Sequence, residues 1–404
     1  MGQADPLPRT TDQPEARMRQ DRDIAIRQHW RLPAEICAAV RQHNGRITYA
    51  ELSERVEADD RSITGALTRL READLLDTVQ EVPGKRGRHD AQIVTHPRGP
   101  VIAALEIMRT RWRLGIAGLD GVIIERLEEN HDDPNPVRVV EALARTLVWC
   151  HETYGYRLRV TSVAVAATVR GTVVAQSSAL PWDQVDLAPI QPPHSIFMAH
   201  NDGTLAALAE ARRGAARGHH TSLHLLLGAG VSGGLVVGER PFNGSTGAAM
   251  EVGHLPFGNP RAHCDCGATG CWNTVISGPM LARRLGVKTP TLDTVTQAIH
   301  STDPVNRQVV QSSAWSFGRG VGGLINTTDP DVITVAGLAP ALLEAAPGYF
   351  DEGLRSATMR HRQTSLPPIL TSQIGLDGPF LGAIDAGLDK LTRTRELARW
   401  AESR

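Results

Sequence analysis

The chain has 404 residues, a formal net charge of −1 and a pI of about 7.0, with 41% hydrophobic and 4% aromatic residues. That length exceeds what one hydrophobic core normally holds, so two or three domains are expected, and the balanced charge points to no partner, leaving any basic patch to be sought locally. The five cysteines are odd in number with three clustered, which excludes a disulfide framework; without an apolar signal core or a run of about 18 apolar residues, a soluble, cytoplasmic protein with no membrane partner is expected.

Residues 1–20 carry Pro, Gln, Arg and Asp with little apolar content and read as a disordered tail. Residues 21–97 are dominated by helical periodicity. Ile36, Ala39 and Val40 mark a short helix that ends at Asn44-Gly45. Tyr49, Leu52 and Val56 mark a second, entered from Thr48 as N-cap, with Glu51 completing a capping box. A third starts near Asp59 and Asp60, with Ile63, Leu67 and Leu70 on its inner face. Two apolar runs, Leu75-Leu-Asp-Thr-Val-Gln-Glu-Val82 and Ala91-Gln-Ile-Val94, then flank Pro83-Gly-Lys-Arg-Gly-Arg-His-Asp90, which predicts a hairpin with a glycine-rich basic turn.

Three short helices and a basic-tipped hairpin describe a winged helix-turn-helix, whose third helix enters the major groove of double-stranded DNA. Arg61, Ser62, Thr64 and Thr68 are the positions facing base edges, with Gly65 leaving room for close approach. Arg69, Lys85, Arg86 and Arg88 are the candidates for phosphates or a narrow minor groove. The expected partner is a DNA operator; a helical protein-interaction domain with a solvated basic loop is the competing reading.

After Pro97 the pattern changes to alternating strands and helices. Val101-Ile-Ala-Ala-Leu-Glu-Ile and Trp112-Arg-Leu-Gly-Ile-Ala-Gly-Leu read as hairpin strands, with Asp120-Gly121 as the next turn. A helix over residues 136–153 leads to the buried strand Val160-Thr-Ser-Val-Ala-Val-Ala. Leu223 to Gly238 reads as strand, glycine-rich turn and strand, Asp331-Val-Ile-Thr-Val-Ala-Gly as a late strand, and Ala383 to Ala401 as a closing helix. The two strand–turn–strand units, at 101–118 and 223–238, predict two related lobes.

Between them lies the most specific run of the chain, Cys264-Asp-Cys-Gly-Ala-Thr-Gly-Cys271, ten residues after His254. Thiolates and imidazole are the ligands of a tetrahedral zinc site, and Gly267 and Gly270 let the backbone bring them together. Three unrelated buried cysteines would be the bland alternative.

Glu251-Val-Gly-His254 with this cysteine run, supported by Asn201-Asp202, Gly228-Ala-Gly-Val-Ser-Gly-Gly234 and Asn326-Thr-Thr-Asp-Pro-Asp-Val-Ile, resembles the ROK family of repressors, open reading frames and sugar kinases over residues 21–404. The resemblance implies an α/β fold, with an N-terminal winged helix-turn-helix followed by a two-lobed, actin-like (ribonuclease-H-like) domain over residues 98–404. Its lobes would be about 98–202 plus the C-terminal helix, and about 203–384. It also implies structural Zn2+ on His254, Cys264, Cys266 and Cys271, a carbohydrate or sugar-derived effector bound by Asn201, Asp202, Glu251, His254 and Asn273, and a homodimer or homotetramer.

Kinases of the family carry Asp-x-Gly-Gly-Thr in the opening hairpin, where this chain has Glu106-Ile-Met-Arg-Thr110. Met108 and Arg109 bring side chains to where phosphate oxygens approach backbone N–H groups. Asp202 keeps the place of the catalytic aspartate, but kinase activity is not expected. In the sugar pocket Ala179 replaces an asparagine and Asn273 a glutamate. Two readings stand: a pocket suited to a modified sugar, amino sugar or oligosaccharide, or one that has drifted from sugar altogether.

Overall fold

The computed structural model describes residues 13–79, 91–131, 135–177 and 179–404. They form two compact units, one from the described residues up to Val101 with Ala117–Ile123 and Leu388–Arg404, the other from Ile102–Ile116 and Ile124–Gly387.

The first unit opens with α1 (Gln13–Gln42), a 30-residue helix. Residues 13–20, expected to be disordered, are its opening turns; residues 1–12 of that tail lie outside the described residues. The low apolar content of this stretch gave no core-facing signal, but Ala, Arg, Gln and Met are good helix formers and extend a helix nucleated by the packed half that follows. The helix also runs through Pro33. Proline donates no N–H to the carbonyl four residues back, and that carbonyl, His29 O, is instead taken by the Arg69 guanidinium at 2.9 Å.

Gly45, at φ +83°, ends α1 by donating to Val40 O at 2.9 Å. A three-residue strand β1 (Arg46–Thr48) follows, too short to leave an alternation in the sequence. Next come α2 (Tyr49–Arg55), α3 (Asp60–Glu72), β2 (Leu76–Val79) and β3 (Gln92–Thr95), with an antiparallel sheet in the order β1-β3-β2. The expected Thr48–Glu51 capping box is present, and Asp59 accepts from Ser62 N–H at 2.7 Å to start α3. Ile36, Val40, Ile47, Leu52, Ile63, Leu70 and Ile93 form the core. This is the winged helix-turn-helix architecture, with the tip of the wing outside the described residues.

The second unit carries two five-stranded sheets of matching order. The first is built from β4 (Val101–Ile107), β5 (Arg111–Ala117), β6 (Ile123–Asn130), β7 (Leu158–Val165) and, after the small sheet of β8 (Thr168–Arg170), β9 (Val173–Gln176) and β10 (Asp183–Asp186), β11 (Ile196–Asn201). The second contains β12 (Thr221–Leu227), β13 (Val231–Val237), β14 (Arg240–Pro241), β15 (Val332–Gly337) and β16 (Ile369–Thr371). The orders β11-β7-β4-β5-β6 and β14-β13-β12-β15-β16 are one pattern used twice, as the two strand–turn–strand units predict. In each, a hairpin precedes a parallel strand, β11 against β7 and β15 against β12.

Helix α4 (Pro136–Tyr154) serves the first sheet; α5 (Asp202–Arg213) follows β11 and packs on β12 and β13. Gly234, in the glycine-rich run of β13, has a packing role there: a Cβ on it would lie 2.5 Å from Gly203 O and 2.6 Å from the Ala207 Cβ on α5. Short helices α6 (Asn273–Ile276), α7 (Gly278–Arg284) and α8 (Leu292–Ile299) lead to the long α9 (Pro304–Thr328), with α10 (Ala339–Ala345) and α11 (Pro347–Ala357) beyond β15.

The expected closing helix is two helices, α12 (Gly378–Leu391) and α13 (Thr394–Glu402), broken where Arg393 is extended at φ −67°, ψ 143°. Its assignment to the first lobe holds only in part. Gly387 packs on Ile102 of β4, but from Leu388 onward the chain belongs to the winged-helix unit, where α13 packs against α1. Buried Leu397 and Trp400 explain that placement.

Candidate ligand cleft, metal centre and nucleic-acid interface

A cavity of about 290 Å³ opens in the second unit, and Asn201, Asp202, Glu251, His254 and Asn273 all line it. The β11–α5 junction sets the first two. Asn201 is the N-cap of α5: its Oδ1 accepts from Thr204 N–H at 3.1 Å and its Nδ2 donates to Ala167 O at 3.1 Å. Its amide thus fixes the strand-to-helix turn that presents Asp202. The Asp202 carboxylate accepts from Gly203 N–H at 2.7 Å. Burial pushes its pKa up to about 7, against the pull of that hydrogen bond and with the nearby Glu106 and Glu251 charges adding to the rise. Such a carboxyl can take or give a proton near neutrality, or accept a hydrogen bond from a ligand hydroxyl.

Glu251 precedes the short turn Val252–His254 and accepts from Thr168 Oγ1 at 2.6 Å. Asn273, at the start of α6, accepts the Val231 N–H at 2.7 Å through its Oδ1. Thr168 also lines the cavity, and neither its role nor that of Val231 carries a signal in the sequence, because each depends on a partner far along the chain. Ala179, the expected substitute for an asparagine, lines the cavity too, and its carbonyl accepts from Arg109 Nη1 at 3.3 Å.

Glu106 of β4 is buried and bonded to Arg113 Nε at 2.6 Å, and the same guanidinium reaches Asp377 Oδ1 at 2.5 Å. Burial raises the Glu106 pKa, with Arg113 opposing. The carboxylate in the opening hairpin is therefore held by an internal cation.

At the cavity wall, ligand atoms of His254, Cys264, Cys266 and Cys271 lie within 4.8 Å of one another. His254 Nδ1 is 3.6 Å from Cys264 Sγ, and Cys266 Sγ is 3.6 Å from Cys271 Sγ. Gly267 and Gly270 take φ of +92° and +76°, the left-handed turns that fold the run onto itself. Donor types and clustering fit one metal ion, and three thiolates with one imidazole match a closed zinc site. Cys271 is anchored by Trp272, which stacks on Phe317 at 5.5 Å and is fully buried.

A sequence profile of the ROK family matches residues 102–386. The chain belongs to the ROK family. Among its relatives, the kanosamine kinase of Amycolatopsis mediterranei is 29% identical over 56% of this chain and 76% of its own length. The xylose repressor of Bacillus subtilis is 20% identical over 86% of this chain and 94% of its own. A crystal structure of a ROK family transcriptional regulator, a homologue of the Escherichia coli Mlc protein, superposes with a TM-score of 0.73 at 19% identity, over 92% of this chain and 98% of its own. The match of this ROK chain to that structure concerns the fold.

In the winged helix, Arg61, Ser62 and Thr64 are exposed on the first turns of α3 and Thr68 is half-exposed. The Thr64 hydroxyl donates back to Asp60 O at 2.6 Å and that of Thr68 to Thr64 O at 3.0 Å, so each hydroxyl keeps its lone pairs as acceptors. Arg69, half-exposed on the same helix, donates through Nη1 to His29 O at 2.9 Å, which ties α3 to α1. Lys85, Arg86 and Arg88 lie outside the described residues. No helix among the described residues is long and apolar enough to cross a membrane.

Proposed function

We propose that this ROK protein is a DNA-binding transcription regulator, a repressor, controlled by a carbohydrate or sugar-derived effector and lacking kinase activity. The observation that carries the reading is the union of a winged helix, its α3 start exposed, with a family domain; Met108 and Arg109 between β4 and β5 support the absence of kinase activity, on the reading that their side chains stand where phosphate would meet backbone amides. The lengths of the matches support it. The xylose repressor aligns over 86% of the chain and the kanosamine kinase over 56%.

In this reading Arg61, Ser62, Thr64 and Thr68 read base edges, and Lys85, Arg86 and Arg88 meet phosphates or the minor groove. A homodimer, or a homotetramer built from two such dimers, matches a palindromic operator through its two-fold axis. Asp202, Glu251 and Asn273 accept and donate hydrogen bonds to effector hydroxyls, while structural zinc on His254, Cys264, Cys266 and Cys271 holds the cavity wall. The effector changes operator affinity by binding one state of the oligomer more tightly than the other.

The deciding experiment is a selection of genomic fragments by the purified protein, followed by binding titrations at several salt concentrations. Arg86→Ala is expected to weaken binding to all duplexes and flatten the salt slope. Operator binding indifferent to joint replacement of Ser62, Arg86 and Arg88 would remove the assigned surface.

One observation favours a second reading, a sugar kinase with a fused DNA-binding module: Asp202 has the raised pKa of a general base and the cavity that a hydroxyl would enter. ADP release with ATP and a panel of hexoses and amino sugars, abolished by Asp202→Asn, would establish that reading and overturn the first.

A further inference from the structure

The end of α3 has an unusual partner. Asp74, at φ +48°, donates its N–H to Arg71 O at 3.0 Å, and Leu75 N–H reaches Leu70 O at 2.9 Å. These two bonds make a Schellman ending, which satisfies the carbonyls of Leu70 and Arg71 and leaves those of Glu72 and Ala73 to find donors elsewhere. The donors come from the far end of the chain. Trp400, fully buried in α13, donates its indole N–H to Ala73 O at 2.6 Å, and Arg404 Nη1 donates to Glu72 O at 3.1 Å. The Arg404 guanidinium also pairs with the Asp74 carboxylate, which Arg98 and His96 approach at 3.6 and 3.5 Å. A cation at a helix C-terminus opposes the negative end of the macrodipole, and here it also neutralises an aspartate placed at that same end. Further ties hold the segment to α1: Arg41 to Asp389 at 2.8 Å and Arg395 to Asp23 at 3.8 Å.

We propose that the C-terminal helix is a working part of the winged-helix module, with Trp400 and Arg404 positioning residues that cap and orient α3 for its nucleic-acid contacts. The proposal rests on α3 being the DNA-reading helix, and its first readout is independent of DNA. Arg404→Ala and Trp400→Phe, the latter keeping an aromatic ring while removing the N–H, are compared with the full-length parent by amide hydrogen exchange. Each is expected to raise exchange at the C-terminal end of α3 by roughly two- to tenfold, the range one net hydrogen bond supports. Peptides from β3 and from the cleft stay unchanged. Arg404→Lys, which keeps the cation, recovers part of the protection, and Arg399→Ala on the same helix, whose ion pair to Glu396 at 3.2 Å stays within α13, has no effect.

The second readout is affinity for a labelled random-sequence duplex. It is expected to fall two- to tenfold in Arg404→Ala with the salt slope unchanged, because no phosphate contact is lost. Unchanged α3 exchange in both variants, or a rise spread evenly over the whole chain, overturns the proposal. Selective α3 exchange in a protein that binds no duplex at all, parent included, upholds the capping role and overturns the DNA reading.

Discussion

Asn273 accepts the backbone N–H of Val231 at 2.7 Å, so this side chain stitches the start of α6 to β13 at the cavity wall. Its position follows from packing on both sides. Trp272 beside it is locked under α9, and Gly253 and Gly230 leave just enough room for the amide, a Cβ on Gly230 lying 3.3 Å from it. Asn273→Ala leaves the Val231 amide without its acceptor, and a half-buried orphan donor costs about 1–2 kcal/mol. The urea midpoint of the ROK domain should fall accordingly, and any effector found for the protein should bind more weakly. An unaltered midpoint would mean that water replaces the amide at no cost.

The raised pKa of Asp202 has a stability consequence with a definite sign. In the folded protein the carboxyl titrates at about 7, against 3.8 for the free side chain. Between those values the folded state holds a proton that the unfolded chain has released, so stability falls as the pH rises through that window and stays low above it. Asp202→Asn removes the dependence. The variant should therefore gain in denaturant midpoint over the parent more at pH 8 than at pH 5. A gain equal at both pH values would show that the carboxyl titrates normally.

The features that the sequence made readable are local ones. Thr48 with Glu51, Asp59 before α3 and the cysteine run between two glycines each declare themselves within a few residues, and each forms as expected. The repeated hairpin units likewise anticipated the repeated sheet order. What stayed hidden depends on partners far apart in the chain. Arg69 looks like any basic residue of a DNA-facing helix, until Pro33 frees the His29 carbonyl 40 residues away to receive it. Trp400 looks like a core residue of a helix closing the first lobe, yet its acceptor is Ala73, 327 residues away. The cavity follows the same rule: Asp202 and Glu251 stand in recognisable motifs, whereas Thr168, which donates to Glu251, stands in none.

The Glu106–Arg113 pair should behave as a buried ion pair. Both side chains are only 7% exposed, and Arg113 also reaches Asp377 and lies 4.7 Å from the Phe380 ring centre. Removing one partner strands the other, so Arg113→Ala should destabilise by about 3–5 kcal/mol. Replacing both, as Glu106→Gln with Arg113→Met, should recover a large part of that loss. A double-mutant cycle read by denaturant unfolding measures the coupling. Independent, additive losses would place the pair in a far more solvated setting than its exposure indicates.

The cysteine cluster makes the sharpest prediction, because metal binding and folding are linked. Four donors within 4.8 Å, three of them thiols, repel one another once deprotonated unless a cation holds them. Protein purified without chelator should carry one zinc ion per chain by atomic emission, and Cys264→Ser or Cys266→Ser should lose most of it. The expected structural effect is directional. Cys271 leads into Trp272 and Asn273, so metal loss should loosen the cavity wall, raise hydrogen exchange in the stretch from His254 to Ile276, and lower the thermal midpoint of the ROK domain. The winged helix, whose core is separate, should keep its own exchange pattern. Gly320→Ala tests the same path from the opposite side: its new methyl group collides with the Trp272 ring, so it should weaken zinc retention without touching a ligand. Full zinc occupancy in that variant, with a normal thermal midpoint, would mean that the cysteine run holds its metal independently of the aromatic stack beneath it.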